Sequence, residues 1–331
     1  MWLPLQIPIF ETVKPLLKYK ADYRTLFFLG LYYSLFLVSW FVLPFKWYYI
    51  IPAEILLCTI NFMVAITIHN TVHVPVFHNK TLNRIDFILL SMAFGSPATG
   101  YVPGHNLSHH KHLQTPKDNA RTGKMTFRWN FLNQFLFFFV MIPGIVKTEG
   151  KFVKEIGPSK PKWLRQYRTE VAFVWIWRIV WAIIDWRRFL VFLLLPNIYA
   201  VWGIFGTNFW QHDGCDENHE FNHSRNFKNK LFNFLVCNNG YHGAHHMKPA
   251  MHWSLYPEFH KKEIAPYIHP NLDRNTLIAF CWEQYIYPGK RVDYLGNKVV
   301  PDGSMKDEDW VMETKAGRLQ MEESDLGAEV N

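Results

Sequence analysis

Closely paired cysteines are missing from this 331-residue chain. Cys58, Cys215, Cys237 and Cys281 stand apart with no CxxC, which excludes a disulfide scaffold and a cysteine-rich structural zinc site. Charge is scarce as well. Asp, Glu, Lys and Arg make up 19% of residues, against about 25% in soluble domains, and that argues against an ordinary soluble protein. No GxGxxG marks a nicotinamide or flavin site. No HPGG haem-domain motif occurs either, because HPN at 269–271 does not match it. The net charge of +8 comes with no RNA- or DNA-binding motif, so nucleic acid is not an expected partner. The opening MWLPLQIPIF lacks the charged start of a secretory signal. The first membrane helix is therefore expected to act as its own uncleaved insertion signal.

Aromatic residues are abundant, at 17% with 28 Phe and 14 Trp. They gather in long apolar runs. Thr25–Phe45 holds 21 residues without a charge, Trp47–Ile68 is broken only by Glu54, and Phe189–Gln211 is uncharged. A bilayer-spanning helix needs about 20 such residues, so length favours membrane helices over buried soluble ones. Flanking Tyr, Trp, Lys and Arg fit the interfacial anchors of a span. Phe87–Pro103 is short and interrupted by Gly95, Pro97 and Gly100. Phe131–Val146 and Val171–Ile184 are each about long enough to leave one of them spanning and the other in the interface.

The expected fold is an all-α integral membrane protein of about four transmembrane helices. Residues 1–24 form a lead, 25–286 the membrane domain, and 287–331 a polar tail with a partly disordered, acidic end. The segment 147–170 carries seven Lys or Arg and three Glu, and basic loops favour the cytoplasm. Pairing Phe189–Gln211 with Val171–Ile184 keeps that segment on the side of the histidines. It leaves Trp186, Arg187 and Arg188 on the far side, in mild conflict with the same rule. Phe131–Val146 is the alternative fourth span. Phe87–Pro103 then dips into the bilayer and returns, or lies flat.

Sixteen histidines are present, and eight fall in three clusters at membrane boundaries. HNTVH places His69 and His73 four apart, on one helix face. HNLSHH places His105, His109 and His110 at i, i+4 and i+5, and HGAHH places His242, His245 and His246 at i, i+3 and i+4. Adjacent histidines splay around a helix, so one cluster can serve two neighbouring ions. Imidazole suits iron, zinc, copper and nickel. Ionisable groups set against a membrane tend to be functional. His78, His112, His219, His223, His252, His260 and His269 lie outside these registers and are read as solvated or core histidines.

Three boxes in the order HxxxH, HxxxHH, HxxHH resemble those of the membrane fatty acid desaturase and hydroxylase superfamily. The likeness spans roughly 25–265 and extends to GHNLSHHKHLQTPKDN and NNGYHGAHHMKPAMHW. It implies a helical cap on the cytosolic side that carries a non-haem di-iron centre of two Fe2+ held by the eight box histidines. A further ligand after the last membrane helix is implied by NFWQH, at His212. Asn208, Asn238 and Asn239 are weaker candidates for a supporting role, and Asp118 and Asp213 for orienting imidazoles.

The resemblance also implies an activity: O2-dependent removal of hydrogen from an unactivated C–H bond of a fatty acyl chain, giving a double bond. Electrons come from a separate donor of ferredoxin or cytochrome b5 type. The basic 147–168 segment and the Lys228/Lys230 region can dock an acidic donor, although a plain membrane anchor explains them too. A hydroxylase or an alkene-forming decarboxylase on the same scaffold is the first alternative. A non-catalytic metal-binding membrane protein is the second. A transporter, however, would place its ligands at mid-membrane rather than at the boundaries.

Overall fold

A computed structural model describes residues 15–301 and 305–326. Most of the lead and the acidic end at 327–331 lie outside the described residues. The architecture is all-α. Among the described residues, the strands form one two-residue parallel pairing, Asn226–Phe227 with Asp273–Arg274.

Helix α1 spans Tyr23–Phe41 and α2 spans Trp47–Thr71. At 1.5 Å per residue α2 is about 37 Å long, enough to cross a bilayer. Helix α3 (Lys80–Phe94) is capped by Asn79, whose side chain accepts from the N–H groups of Thr81 and Leu82. Gly95, at φ 84°, ends it in the left-handed conformation that favours glycine. Ala93 O in the last turn of α3 accepts from Asn197 Nδ2, deep in the bundle. The chain then climbs back to the second histidine cluster. Phe87–Pro103 thus enters the bundle as far as Asn197 and turns back.

Helix α4 is Asn130–Glu155 and α5 is Pro161–Ile184. Helix α6 runs from Trp186 to His212 through a π-helical turn at Leu190–Leu194. Asp185 makes the hairpin between α5 and α6, its carboxylate accepting from the N–H groups of Arg187 and Arg188. Arg188 donates to Ser39 O and Leu43 O at the end of α1, 2.8 and 3.0 Å away. The α1 end and the α6 start therefore share the far side of the bundle. The opposite ends of α2 and α6 carry His69 and His212. Close packing of α2 on α6 depends on Gly203, where an added Cβ would sit 2.8 Å from Phe62. Small residues at such crossings let membrane helices approach.

By length and composition four helices suffice to cross a membrane: Lys20–Phe41, Trp47–Thr71, Asn130–Glu155 and Trp186–His212. The third contains the alternative run Phe131–Val146, not the preferred Val171–Ile184. Helix ends weigh differently from composition. Both ends of α4 bond the cap, Asn130 Nδ2 donating to Gln284 O and Glu155 pairing with Lys315. Helix α5 instead reaches from the start of α3 to the end of α1. Gln166 Nε2 near its start donates to Arg84 O, and Trp181 near its end packs on Trp40 with ring centroids 4.6 Å apart.

The segment 305–326 does not trail into solvent. Asp307 pairs with Arg121 and Lys124, Asp309 with Lys151, Glu313 with Lys117, and Asp325 with Lys111. Trp310 and Val311 are buried, Trp310 lying 6.1 Å from Phe152 by ring centroids. Exposed ion pairs contribute little each, so the buried tryptophan is the main anchor. Trp310→Ala should lower stability by about 3–5 kcal/mol, the usual cost of emptying a buried tryptophan site. Thermal unfolding in detergent measures it, and an unchanged midpoint refutes the anchor.

Candidate metal centre

The three clusters meet where the ends of α2 and α6 enter the cap. His69 is on the last turn of α2, with His73 just beyond it. Pro103–His109 forms a π-helical turn, so the N–H of His110 bonds His105 O five residues back. That i to i+5 closure brings the His105 and His110 rings together, Nε2 to Nε2 at 3.1 Å. Departures of this kind from the α-helix occur often at functional sites. The third cluster sits on the short helix α7, His242–Met247.

Eight imidazoles divide into two groups of four. His73, His105, His110 and His245 form one; His109, His212, His242 and His246 form the other. Within each group the ligand atoms lie within 4.8 Å of one another. The adjacent pairs His109/His110 and His245/His246 are split between the groups, as splaying around a helix requires. His212, from outside the three boxes, completes the second group. His69 belongs to neither set of four. Its ring lies 4.4 Å from that of His105 and 4.3 Å from that of His245.

Ring tautomers decide what these groups can do. His109 Nδ1 is 3.0 Å from Asp118 Oδ2. Burial alone raises the Asp118 pKa, but His109 and the N–H groups of Gln114 and Ala120 outweigh it and hold the carboxyl below its ordinary value. An ionised Asp118 accepts only, so His109 donates from Nδ1 and its Nε2 carries the lone pair. His212 Nδ1 likewise donates to His223 O at 3.2 Å. The two Nε2 atoms face each other at 3.2 Å, and His212 Nε2 is 2.8 Å from His242 Nε2.

Protonation does not resolve these encounters. Burial, reinforced by neighbouring imidazoles, pushes His73, His105, His110, His242, His245 and His246 well below the ordinary histidine pKa. Neutral rings with converging lone pairs repel unless a cation lies between them. At a metal–imidazole bond of about 2.0–2.1 Å, neighbouring nitrogens sit about 3.0 Å apart at right angles and about 3.4 Å apart in a tetrahedron. The Nε2 separations of 2.8 to 3.2 Å match. His73 Nε2 is buried without a hydrogen-bond partner, as a metal-facing nitrogen would be in an ion-free description. The donor set fits two ions.

Supporting residues only partly follow the sequence expectation. Asp118 does orient an imidazole. Asp213 does not: it pairs with Arg291, Nε to Oδ2 at 2.9 Å, because the chain after His212 turns its carboxylate away from the rings. Asn208 and Asn239 line the cavity described next, whereas Asn238 donates to Trp253 O at 3.2 Å. Two supports had no signal in the sequence. Tyr256 OH lies 3.0 Å from His245 Nδ1, and His223 acts through its main-chain carbonyl. Outer partners of metal-bound histidines change affinity or activity about 10–100-fold. Tyr256→Phe should therefore weaken metal retention about tenfold in a chelator titration, and unchanged retention would remove Tyr256 from this role.

A narrow cavity of about 140 Å3 opens beside the imidazoles. His69, His105, His109 and His242 form one wall, and Phe94, Ile145, Val201, Ile204 and Phe205 an apolar one. The arrangement can hold a hydrocarbon chain against a pair of metal ions. Compared with known proteins, residues 45–274 match the family model described as fatty acid desaturase. No curated protein matches the chain.

Proposed function

The chain belongs to the fatty acid desaturase family, and from that premise we propose that it is an O2-dependent di-iron desaturase placing a double bond in a fatty acyl chain. The carrying observation is the pair of four-imidazole groups abutting one apolar cavity. In this reading His73, His105, His110 and His245 hold one Fe2+, and His109, His212, His242 and His246 the other. His69, on the cavity wall, adds a ninth nitrogen. Bound iron supplies the activation of dioxygen needed to attack an unactivated C–H bond. Asp118, His223 and Tyr256 fix the ring orientations. The apolar wall aligns the chain and keeps water from the reacting carbon atoms.

In the membrane, α1, α2, α5 and α6 cross, and α4 lies along the surface with both ends in the cap. The metal groups and the basic 147–170 segment then share the cytoplasmic side. Electrons arrive from a separate ferredoxin or cytochrome b5 type donor. Gas chromatography with mass spectrometry of lipids from expressing cells tests the reading. A new unsaturated acyl species is expected. Hydroxylated acids or terminal alkenes would move it to the hydroxylase or decarboxylase reading. No new species, with a donor supplied and two irons per chain, refutes the acyl substrate.

A further inference from the structure

The outer face of α5 changes character along its length. Arg165, Arg168, Ala172, Ile176, Ile179 and Ile183 follow one another at steps of three or four residues, which puts them on one stripe of the helix. All six are exposed. The stripe is cationic in its first turn and apolar from Ala172 onward. The acid of this stretch does not sit on it. Glu170 turns inward, its carboxylate accepting from the Thr99 N–H at 2.8 Å and from Thr99 Oγ1 at 2.6 Å. Gln166 Nε2 donates to the same carboxylate at 2.8 Å. Neither the Arg165 nor the Arg168 guanidinium has an ion-pair partner among the described residues.

At the cationic end the surface is hollowed. Pro161, Arg165, Arg168 and Thr169 line the hollow, and Ala172 and Phe173 carry it onto the apolar stripe. No acidic residue lines it among the described residues. It shares no lining residue with the cavity at the imidazoles. Charge and shape together select an occupant. Two guanidinium groups one turn apart suit a phosphate, whose oxygens accept paired N–H bonds from arginine. At 1.5 Å per residue, Ala172 lies about 6 Å and Ile179 about 16 Å along the helix from Arg168. A soluble phosphate ester would use the arginines and leave that stripe bare. An acidic protein would meet isoleucine where it needs polar surface. An anionic lipid covers both parts.

Resting on the crossing of α5 given above, we propose that Arg165 and Arg168 hold the phosphate of an anionic glycerophospholipid, with its acyl chains along Ala172, Ile176 and Ile179.

The test is photo-crosslinking of the full-length protein from p-benzoylphenylalanine placed at Ile176, one turn beyond the hollow. The nanodiscs hold equal parts of dioleoylphosphatidylglycerol and dioleoylphosphatidylcholine, which differ only in headgroup, and mass spectrometry reads the adducts. Phosphatidylglycerol should be enriched at least about fivefold, the gain expected of one cation near an anionic lipid. Arg165→Gln combined with Arg168→Gln should return the ratio to near one. Lys147→Gln combined with Lys154→Gln removes the same charge from exposed positions of the same basic segment, outside the hollow, and should keep the enrichment. Adducts in bilayer proportion from the wild type overturn the site and leave the crossing of α5 standing. Equal loss in both double variants overturns it as well, because the preference is then diffuse attraction of a basic surface. So does loss of the enrichment under excess glycerol 3-phosphate, which would make the ligand a soluble ester. No lipid adduct at all removes the crossing and the site together. The unsaturated product is read separately in the lipid profile, so the desaturase reading stands or falls on its own.

Discussion

A His109→Ala protein is expected to fold, to hold about one iron instead of two, and to lose product formation by at least about a hundredfold. That is the upper end of what removing even an outer partner costs a metal site, and His109 is placed as a ligand itself. Its Nε2 faces His212 at 3.2 Å while its Nδ1 holds Asp118 at 3.0 Å. Truncation removes a lone pair from one group and leaves a buried carboxylate without its imidazole. The carboxylate keeps the N–H groups of Gln114 and Ala120, so the loop should survive. Elemental analysis of purified protein reads the iron content, and the lipid profile reads the activity. His110→Ala should strip the other group, although the two residues are neighbours in sequence. His112→Ala, outside both groups, should leave both readouts near wild type. Two irons and full product in the His109 variant would refute the assignment.

Much of this centre is legible in the sequence because helical spacing is a local property. A pair at i, i+4 shares a face whatever the rest of the chain does, and adjacent histidines must diverge. The split of His109 from His110 follows from that alone. His212 needed the family likeness, since nothing near it repeats. Tyr256 and the His223 carbonyl reach the rings only through tertiary folding, and no spacing rule announces them. The partner of Asp213 is Arg291, 78 residues away, so its neighbourhood suggested an imidazole that it does not meet.

Hydropathy and tertiary contacts weigh differently on the two middle helices. Helix α4 is apolar enough to span, and its ends bond Gln284 and Lys315. Helix α5 carries Arg178 within its apolar run and packs Trp181 on Trp40 at the end of α1. The proposed crossing by α5 rests on those contacts rather than on composition. The acidic residues of 305–326 meet cations on Lys111, Lys117, Arg121, Lys124 and Lys151, far away in sequence, so no local pattern announces those pairs.

Gly104→Leu should separate the metal centre from the cavity it serves. Gly104 lies between Pro103 and His105 on the cavity wall. A Cβ there would meet only Ile145 Cγ2, at 3.5 Å, an ordinary contact. The leucine side chain therefore has nowhere to grow except into the empty space. The fold and both iron sites should be retained, because no imidazole is removed and no backbone is forced. Product from long acyl chains should fall by about tenfold to a hundredfold, the effect of one or a few methylene-sized mismatches in an apolar pocket. Shorter chains should suffer less, since they leave room beside the new side chain. The check is the lipid profile of the variant together with its iron content. Normal iron with a shifted or diminished acyl product ties the cavity to the substrate. Normal iron with an unchanged profile means the chain runs elsewhere, and the role given to the cavity then falls.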